Sequence, residues 1–263
     1  SYTVNNKTIH FDCAYITIHG TPGENGILQS YFELVGIPHT SCGVFESALT
    51  FNKFACKAYL NEFGIKSAKA VLVRKGMTYD PHAITKKLGF PCFVKPNNAG
   101  SSCGVSKVKA IEELEPAINK ALEEDSEVII EEFLTGIEIT NGIFKTSGKV
   151  TVLPITEIVS ENEFFDYEAK YTGKSKEITP ARLSHTIEEQ VKGTTKKIYE
   201  LLGCSGIVRV DYIVYGKEIN MLEVNTTPGM SPASIIPQQI TAMGLHHKDV
   251  FNDIIMEAIN KKK

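Results

Sequence analysis

Arg209, Asp211, Glu223 and Asn225 occupy alternate positions in two short apolar segments, Ile207-Val208-Arg209-Val210-Asp211-Tyr212-Ile213-Val214 and Met221-Leu222-Glu223-Val224-Asn225. Alternate residues of a strand share a face. Arg209 therefore lies with Asp211 and Glu223 with Asn225, while Val208, Val210, Leu222 and Val224 point into a core. The two segments read as a hairpin. With Gly216, Lys217 and Glu218 as its loop, Asp211 falls opposite Glu223 and Arg209 opposite Asn225, and a slip of one residue would set a carboxylate against Leu222. Directly opposed carboxylates repel. A cation between them removes the repulsion, and the all-oxygen set Asp211, Glu223 and Asn225 suits a hard ion such as Mg²⁺ better than zinc. A solvated strand face is the commoner meaning of such charges. The apolar flanks of Arg209, and the turn Thr226-Thr227-Pro228-Gly229-Met230 after Asn225, favour the metal site here.

A second candidate is Lys95-Pro96-Asn97-Asn98-Ala99-Gly100-Ser101-Ser102-Cys103-Gly104-Val105, which leaves a strand with a lysine and then offers two glycines and two hydroxyls. Such a loop can fold over phosphates with backbone N–H groups as donors. It is not a P-loop, because its lysine precedes the loop instead of opening a helix. Glu131 closes the apolar run Val128-Ile129-Ile130, which gives it a hydrogen-bonding task more readily than a random surface acid.

These residues need elements to hold them. The opening stretch reads as a strand over Cys13 to Ile18, a loop His19-Gly20-Thr21-Pro22-Gly23-Glu24-Asn25-Gly26, and a helix Ile27 to Leu34. One helix is expected from Ala48 to Phe63, with Phe51, Phe54, Ala55, Ala58, Tyr59 and Phe63 on its apolar stripe and Lys53 and Lys57 off it. Strands follow at Ala70 to Val73, Phe93 to Lys95 and Val128 to Phe133, with helices at Pro81 to Leu88 and Ile111 to Glu123. The C-terminal part adds strands at Ile137 to Phe144 and Val150 to Thr156, a polar insertion through Lys176, a helix Thr186 to Leu202, the hairpin, and a closing helix Asp249 to Asn260. The expected class is α+β with antiparallel sheets.

Length and composition set the outer bounds. At 263 residues and 42% hydrophobic content, with a formal charge of -3, the chain can bury a sizeable core. Its lysines form no basic stripe, so neither nucleic acid nor a membrane surface is an expected partner. No apolar run would span a bilayer and the first residues are too polar for a signal peptide, which makes the cytoplasm the default. The six cysteines lack zinc spacing and read as reduced, mostly buried thiols.

Taken together, five motifs resemble the D-alanine–D-alanine ligase family of ATP-grasp enzymes over essentially the whole chain. They are His19 to Gly26, Lys95 to Val105, Phe165-Asp166-Tyr167-Glu168-Ala169-Lys170-Tyr171, Arg209-Val210-Asp211, and Leu222 to Met230. The resemblance implies an ATP-grasp pair, at 48–133 and 134–263, preceded by a truncated α/β substrate domain at 1–47. It also implies ATP between two antiparallel sheets, with Lys53 and Lys95 on the phosphates and Ser101 and Ser102 closing over them. Glu131 would hold the adenine amino group, aided by Glu132 and Leu134 backbone and by packing from Phe133, Phe164 and Leu222, while Glu138 would hold ribose. Asp211, Glu223 and Asn225 match magnesium (or manganese) ligands. Arg209 and Lys170 match groups that stabilise the transferring phosphoryl, and the Gly229 N–H matches an oxyanion donor.

On the substrate side, His19 and Glu24 would flank the first D-alanine, Ser234 and the Ile235 N–H would hold the second carboxylate, and Tyr171 would join Ser102 in a network over the site. The implied activity is ATP-dependent formation of D-alanyl-D-alanine for peptidoglycan, in a homodimer when full-length. Two alternatives are ester formation with D-lactate, against which Tyr171 argues, and a nucleotide-binding fragment without ligase activity. The latter arises because family members begin with a strand and a Gly-rich turn whose glutamate orients the first D-alanine, and nothing in this sequence matches it. A first domain lacking that part should leave Ile16 and Ile18 with an exposed edge or an exposed apolar face.

Overall fold

The computed structural model describes residues 2–4, 7–100, 104–160 and 175–261. The chain opens with a small ribbon of β1 (Tyr2–Val4) and β2 (Lys7–Ile9), then α1 (Ile27–Leu34), α2 (Val44–Phe51) and α3 (Lys53–Glu62). The expected strand over Cys13 to Ile18 does not form; the segment is held by one parallel bridge from Ala14 to His39. The exposure expected of both isoleucines holds for Ile18, at 49%, and fails for Ile16, which is buried at 7%. The larger apolar exposure falls on α1, through Ile27, Tyr31 and Leu34.

The single helix expected from Ala48 to Phe63 is two helices. Asn52 breaks it, with ψ at 99°, and its side chain accepts a hydrogen bond from the Ala55 N–H as the N-cap of α3. The break changes the phase. The buried face of α3 is Cys56, Lys57 and Leu60, whereas Ala58 is exposed and Phe63 is 42% exposed, so the apolar stripe drawn through an unbroken helix is wrong.

Two antiparallel sheets follow. The first has the order β3-β6-β4-β5, formed by β3 (Ala70–Arg74), β4 (Cys92–Pro96), β5 (Ser106–Val108) and β6 (Glu127–Glu132). Between these strands come α4 (Pro81–Leu88) and, after a 3-10 turn at Ile111–Glu113, α5 (Leu114–Glu124). Their apolar faces bury Ile84, Leu88, Leu114 and Ile118 against Val73, Val94, Val128 and Ile130. The limits of α4 follow from its ends: Asp80 accepts from the His82 N–H, Pro81 takes the first turn, and Gly89 ends the helix with φ 73°.

The second sheet has the order β11-β10-β7-β8-β9, from β7 (Ile137–Thr146), β8 (Lys149–Ser160), β9 (Ser175–Ile178), β10 (Ile207–Tyr215) and β11 (Glu218–Asn225). α6 (His185–Leu201) covers one face with Ile187, Val191 and Ile198, packed on Ile139, Val208, Val210 and Tyr212. Two helices, α7 (Ile235–Ala242) and α8 (His247–Asn260), cover part of the other, burying Ile236, Ile240, Val250 and Ile254 on Phe144, Leu153 and Ile207. α7, β9 and the short strands β1, β2 and β5 have no counterpart in the sequence-based expectations. Among the described residues no helix is long and apolar enough to cross a membrane.

Candidate active site

The β10–β11 hairpin pairs Arg209 with Asn225, Val210 with Val224 and Asp211 with Glu223, the register expected from the alternation. It reaches that register by another route. The loop is two residues, Gly216 and Lys217, with Tyr215 paired to Glu218, and a bulge between Asp211 and Tyr212 restores the pairing by leaving Leu222 without a partner. The bulge also turns Leu222. Met221 takes the core position at 1% exposure and Leu222 lines the cleft beside Glu223, so the expectation that Leu222 points into the core is incorrect.

The cleft lies between the two sheets and measures about 1330 Å³ within the described residues. A pocket for one drug-sized ligand is about 300–1,000 Å³, so this one has room for a nucleotide and smaller molecules beside it. Arg209 grips Asp211 with two hydrogen bonds, Nε to Oδ1 at 2.9 Å and an Nη to Oδ2 at 2.8 Å, and the Thr140 hydroxyl donates to Oδ1 at 2.5 Å. Across the hairpin, Lys53 Nζ stands 3.8 Å from Glu223 Oε2. Burial lowers the Lys53 pKa, and the charge of Glu223 works against that. Among the described residues no three acids, histidines or cysteines gather into a metal cluster. Two opposed carboxylates and a carboxamide nevertheless match the donor set of Mg²⁺, which keeps several waters and takes one or two carboxylates together with phosphate oxygens.

On the facing sheet Glu131, 4% exposed, is clamped between two lysines. Lys57 Nζ pairs with Oε1, and Lys95 Nζ lies 2.5 Å from Oε2. Burial disfavours the Glu131 charge, but the two ammonium groups outweigh it and hold the carboxyl at about 2. Burial likewise works against the Lys95 charge, and its pair with Glu131 more than offsets this, so the Lys95 pKa rises. Lys57 was not among the expected site residues; its spacing of four from Lys53 was the available signal, and burial of the α3 face that carries it was not visible without the fold.

Around the cleft the remaining candidates fall as follows. Glu132, Leu134 and Glu138 line it, as does Phe133, whose ring sits 5.8 Å from Phe93 and 4.6 Å beneath Lys107 Nζ. At the other end Glu24 accepts from the Gly20 N–H at 2.6 Å and faces His19 Nδ1 at 3.8 Å. Hydrogen bonding to Glu24 raises the His19 pKa, against the lowering effect of burial. Gly229 lies between His19 and Ser234: a Cβ there would stand 2.7 Å from Ser234 Oγ and 3.7 Å from His19 Nε2. Ser234 Oγ is hydrogen-bonded to Ser231 Oγ at 2.8 Å, and Ile235 opens α7 on the cleft wall. Ser101, Ser102, Phe164, Lys170 and Tyr171 lie outside the described residues.

One buried amide supports this wall and was missed entirely. Gln239 Oε1 accepts from the Gly142 N–H at 3.0 Å, while Nε2 donates to the Thr140 carbonyl at 3.1 Å and to Thr156 Oγ1 at 3.0 Å. It therefore ties α7 to the strand whose Thr140 holds Asp211.

Fold and site define a class first. Two antiparallel sheets closing on a cleft that carries lysines on one side, and an arginine with opposed acids on the other, make this an ATP-grasp protein. Residues 59–256 match the family model described as "D-ala D-ala ligase C-terminus". A D-alanine–D-alanine ligase of Phocaeicola vulgatus is 57% identical over 256 residues, covering 97% of this chain and 79% of that protein. The solved D-alanine–D-alanine ligase of Bacillus anthracis superposes with a TM-score of 0.84 at 34% identity, covering 96% of this chain and 81% of the other. The same enzyme complexed with ATP gives 0.83 at 32% identity, covering 95% and 80%. The chain belongs to the D-alanine–D-alanine ligase family.

Proposed function

We propose that the chain joins two D-alanines at the expense of ATP. A carboxylate oxygen of the first D-alanine attacks the γ-phosphorus, the bond to ADP breaks, and an acyl phosphate forms. The amine of the second then attacks the acyl carbon, loses a proton, and inorganic phosphate leaves. The observation that carries this reading is the gathering of Lys53, Lys95 and Arg209 on one cleft that also holds the opposed Asp211 and Glu223. Phosphoryl transfer asks a protein for positioning and charge neutralisation, and these groups can supply both.

Lys53 and Lys95 would hold the phosphates, and Ser101 and Ser102 would close over them. Glu131, Glu132, Phe133, Leu134, Phe164 and Leu222 would receive adenine, and Glu138 ribose. Asp211, Glu223 and Asn225 would hold Mg²⁺ or Mn²⁺, which when bound neutralises charge on the phosphates. Arg209 and Lys170 would face the transferring phosphoryl, the Gly229 N–H the oxyanion of the tetrahedral intermediate. His19 and Glu24 would orient the first substrate, Ser234 and the Ile235 N–H the second, with Tyr171 over the site. The reading keeps a substrate-domain segment at 1–47 and ATP-grasp subdomains at 48–133 and 134–263, a homodimer, and cytoplasmic synthesis of dipeptide for peptidoglycan.

D-alanine-dependent release of phosphate together with D-alanyl-D-alanine, both requiring Mg²⁺, is the expected outcome, and Asp211→Asn should weaken binding of MgATP. Phosphate release indifferent to D-alanine would overturn the ligase reading. Equal calorimetric affinity for ATP with and without Mg²⁺ would overturn the metal ligands.

A further inference from the structure

Two elements proposed to hold the phosphates, the head of α3 and the loop after Lys95, are stitched together behind the cleft. The Lys53 N–H donates to the Asn97 carbonyl at 3.1 Å, and Lys53 Nζ donates to the Ala99 carbonyl at 2.5 Å. Two carboxamides serve the first turn of the helix: Asn52 Oδ1 accepts from the Ala55 N–H at 2.9 Å and Asn97 Oδ1 from the Phe54 N–H at 2.8 Å. Each amide can do this only in one orientation, with its NH₂ turned away. Both NH₂ groups turn to the same atom. Glu127 Oε2 accepts from Asn52 Nδ2 at 3.0 Å and from Asn97 Nδ2 at 2.8 Å, with Asn98 Nδ2 at 3.4 Å. Its other oxygen takes Arg74 Nε at 2.7 Å. The next carboxylate up the chain completes the set, since Asp125 Oδ2 accepts the Asn98 N–H at 2.7 Å and Asn98 Nδ2 at 3.0 Å.

We propose that Glu127 is a positioning residue for nucleotide binding: by accepting from Asn52 and Asn97 it sets both amides and so fixes Lys53 relative to the loop that follows Lys95. It touches no substrate. Glu127 stands at the outer end of β6, four residues before Glu131, and its side chain does not line the cleft. What the arrangement needs is one acceptor oxygen facing both asparagines; burial pushes the Glu127 pKa up, and the hydrogen bonds from Arg74 and the asparagines more than offset this and hold it down. The proposal rests on the nucleotide reading of the cleft.

Glu127→Ala frees both amides to rotate and should weaken ATP binding about tenfold or more, since small displacements of positioning groups carry such costs. The KM for D-alanine should not change. Glu127→Gln can keep one oxygen on the two asparagines by letting the exposed Arg74 go, and should recover most of the affinity. Arg74→Ala should stay within about twofold of the parent, as surface changes usually do. A merely structural role would lower the active fraction and leave the ATP Kd and KM alone, and that result overturns the proposal. Should Glu127→Ala fail to fold, Asn97→Asp, which sets a carboxylate against Glu127, is expected to give the same loss, and an unchanged Kd there overturns the proposal equally. Amide hydrogen exchange without nucleotide separates this from the underlying reading: faster exchange at the Phe54 N–H in Glu127→Ala is expected, and unchanged exchange refutes the anchoring. A parent chain that binds no ATP refutes the nucleotide reading alone.

Discussion

Replacing Lys57 by methionine keeps the length of the side chain and removes one of the two ammonium groups on Glu131. Glu131 is held at about 2 against an ordinary 4.5, which corresponds to about 3 kcal/mol of stability linked to its ionisation. The folded-state value is depressed, so this contribution is present above pH 4.5 and is lost as the pH falls through 2. The Lys95 ammonium, 2.5 Å from Glu131 Oε2, is left in place by the substitution. The cost should therefore be no more than about 2 kcal/mol: it falls below the roughly 3–5 kcal/mol of leaving a buried charge wholly unpaired, and burial lowers the pKa of Lys57 itself, a desolvation cost that methionine does not carry. At that limit Tm falls by about 4–8 °C in a chain of this size. Denaturant titrations of the parent, Lys57→Met, Glu131→Gln and the double variant measure it as a cycle. The difference between parent and Glu131→Gln should also narrow as the pH is taken from neutral toward the folded-state value. Additivity within about 0.5 kcal/mol would mean that the two residues do not interact, and would refute the clamp.

The His19 titration observed by NMR should have its midpoint above the ordinary 6.5, because Glu24 favours the charged ring. The stability this pair adds is fully present below 6.5 and is lost as the pH rises through the folded-state value. Glu24→Gln should bring the midpoint down, and a midpoint already at or below 6.5 in the parent would refute the pairing. Gly142→Ala would place a Cβ 2.5 Å from both Gln239 Oε1 and Ile236 Cδ1, and overpacking of this kind costs about 1–3 kcal/mol. The expected result is a lower Tm together with weaker binding at the Ser234 end of α7, and a Tm equal to that of the parent would show that α7 is not held against β7.

Several features were settled along the chain itself. Asp80-Pro81 and Gly89 delimit α4, because capping and the φ preferences of proline and glycine act within a few residues. Alternation in β10 and β11 set Asp211 opposite Glu223, because a slip of one residue would have exposed a whole apolar face. The candidate ligands Asp211, Glu223 and Asn225 were legible for the same reason.

What the tertiary structure decided involves partners distant in sequence. Leu222 reaches the cleft only because a bulge changes the face between Met221 and Glu223, and alternation carries no sign of an unpaired residue. Lys57 is buried because β6 brings Glu131 to it across 74 positions of sequence. Read along α3 alone, it was a lysine off an apolar stripe. The Cys13 to Ile18 segment, apolar enough for a strand, finds one bridge to His39 in place of a strand partner along its length, and strands exist through their neighbours. Gln239 and Glu127 are ordinary polar residues by type. Each becomes a hub because non-local backbone and amide groups converge on it, and desolvation makes those hydrogen bonds obligatory once the fold has buried them.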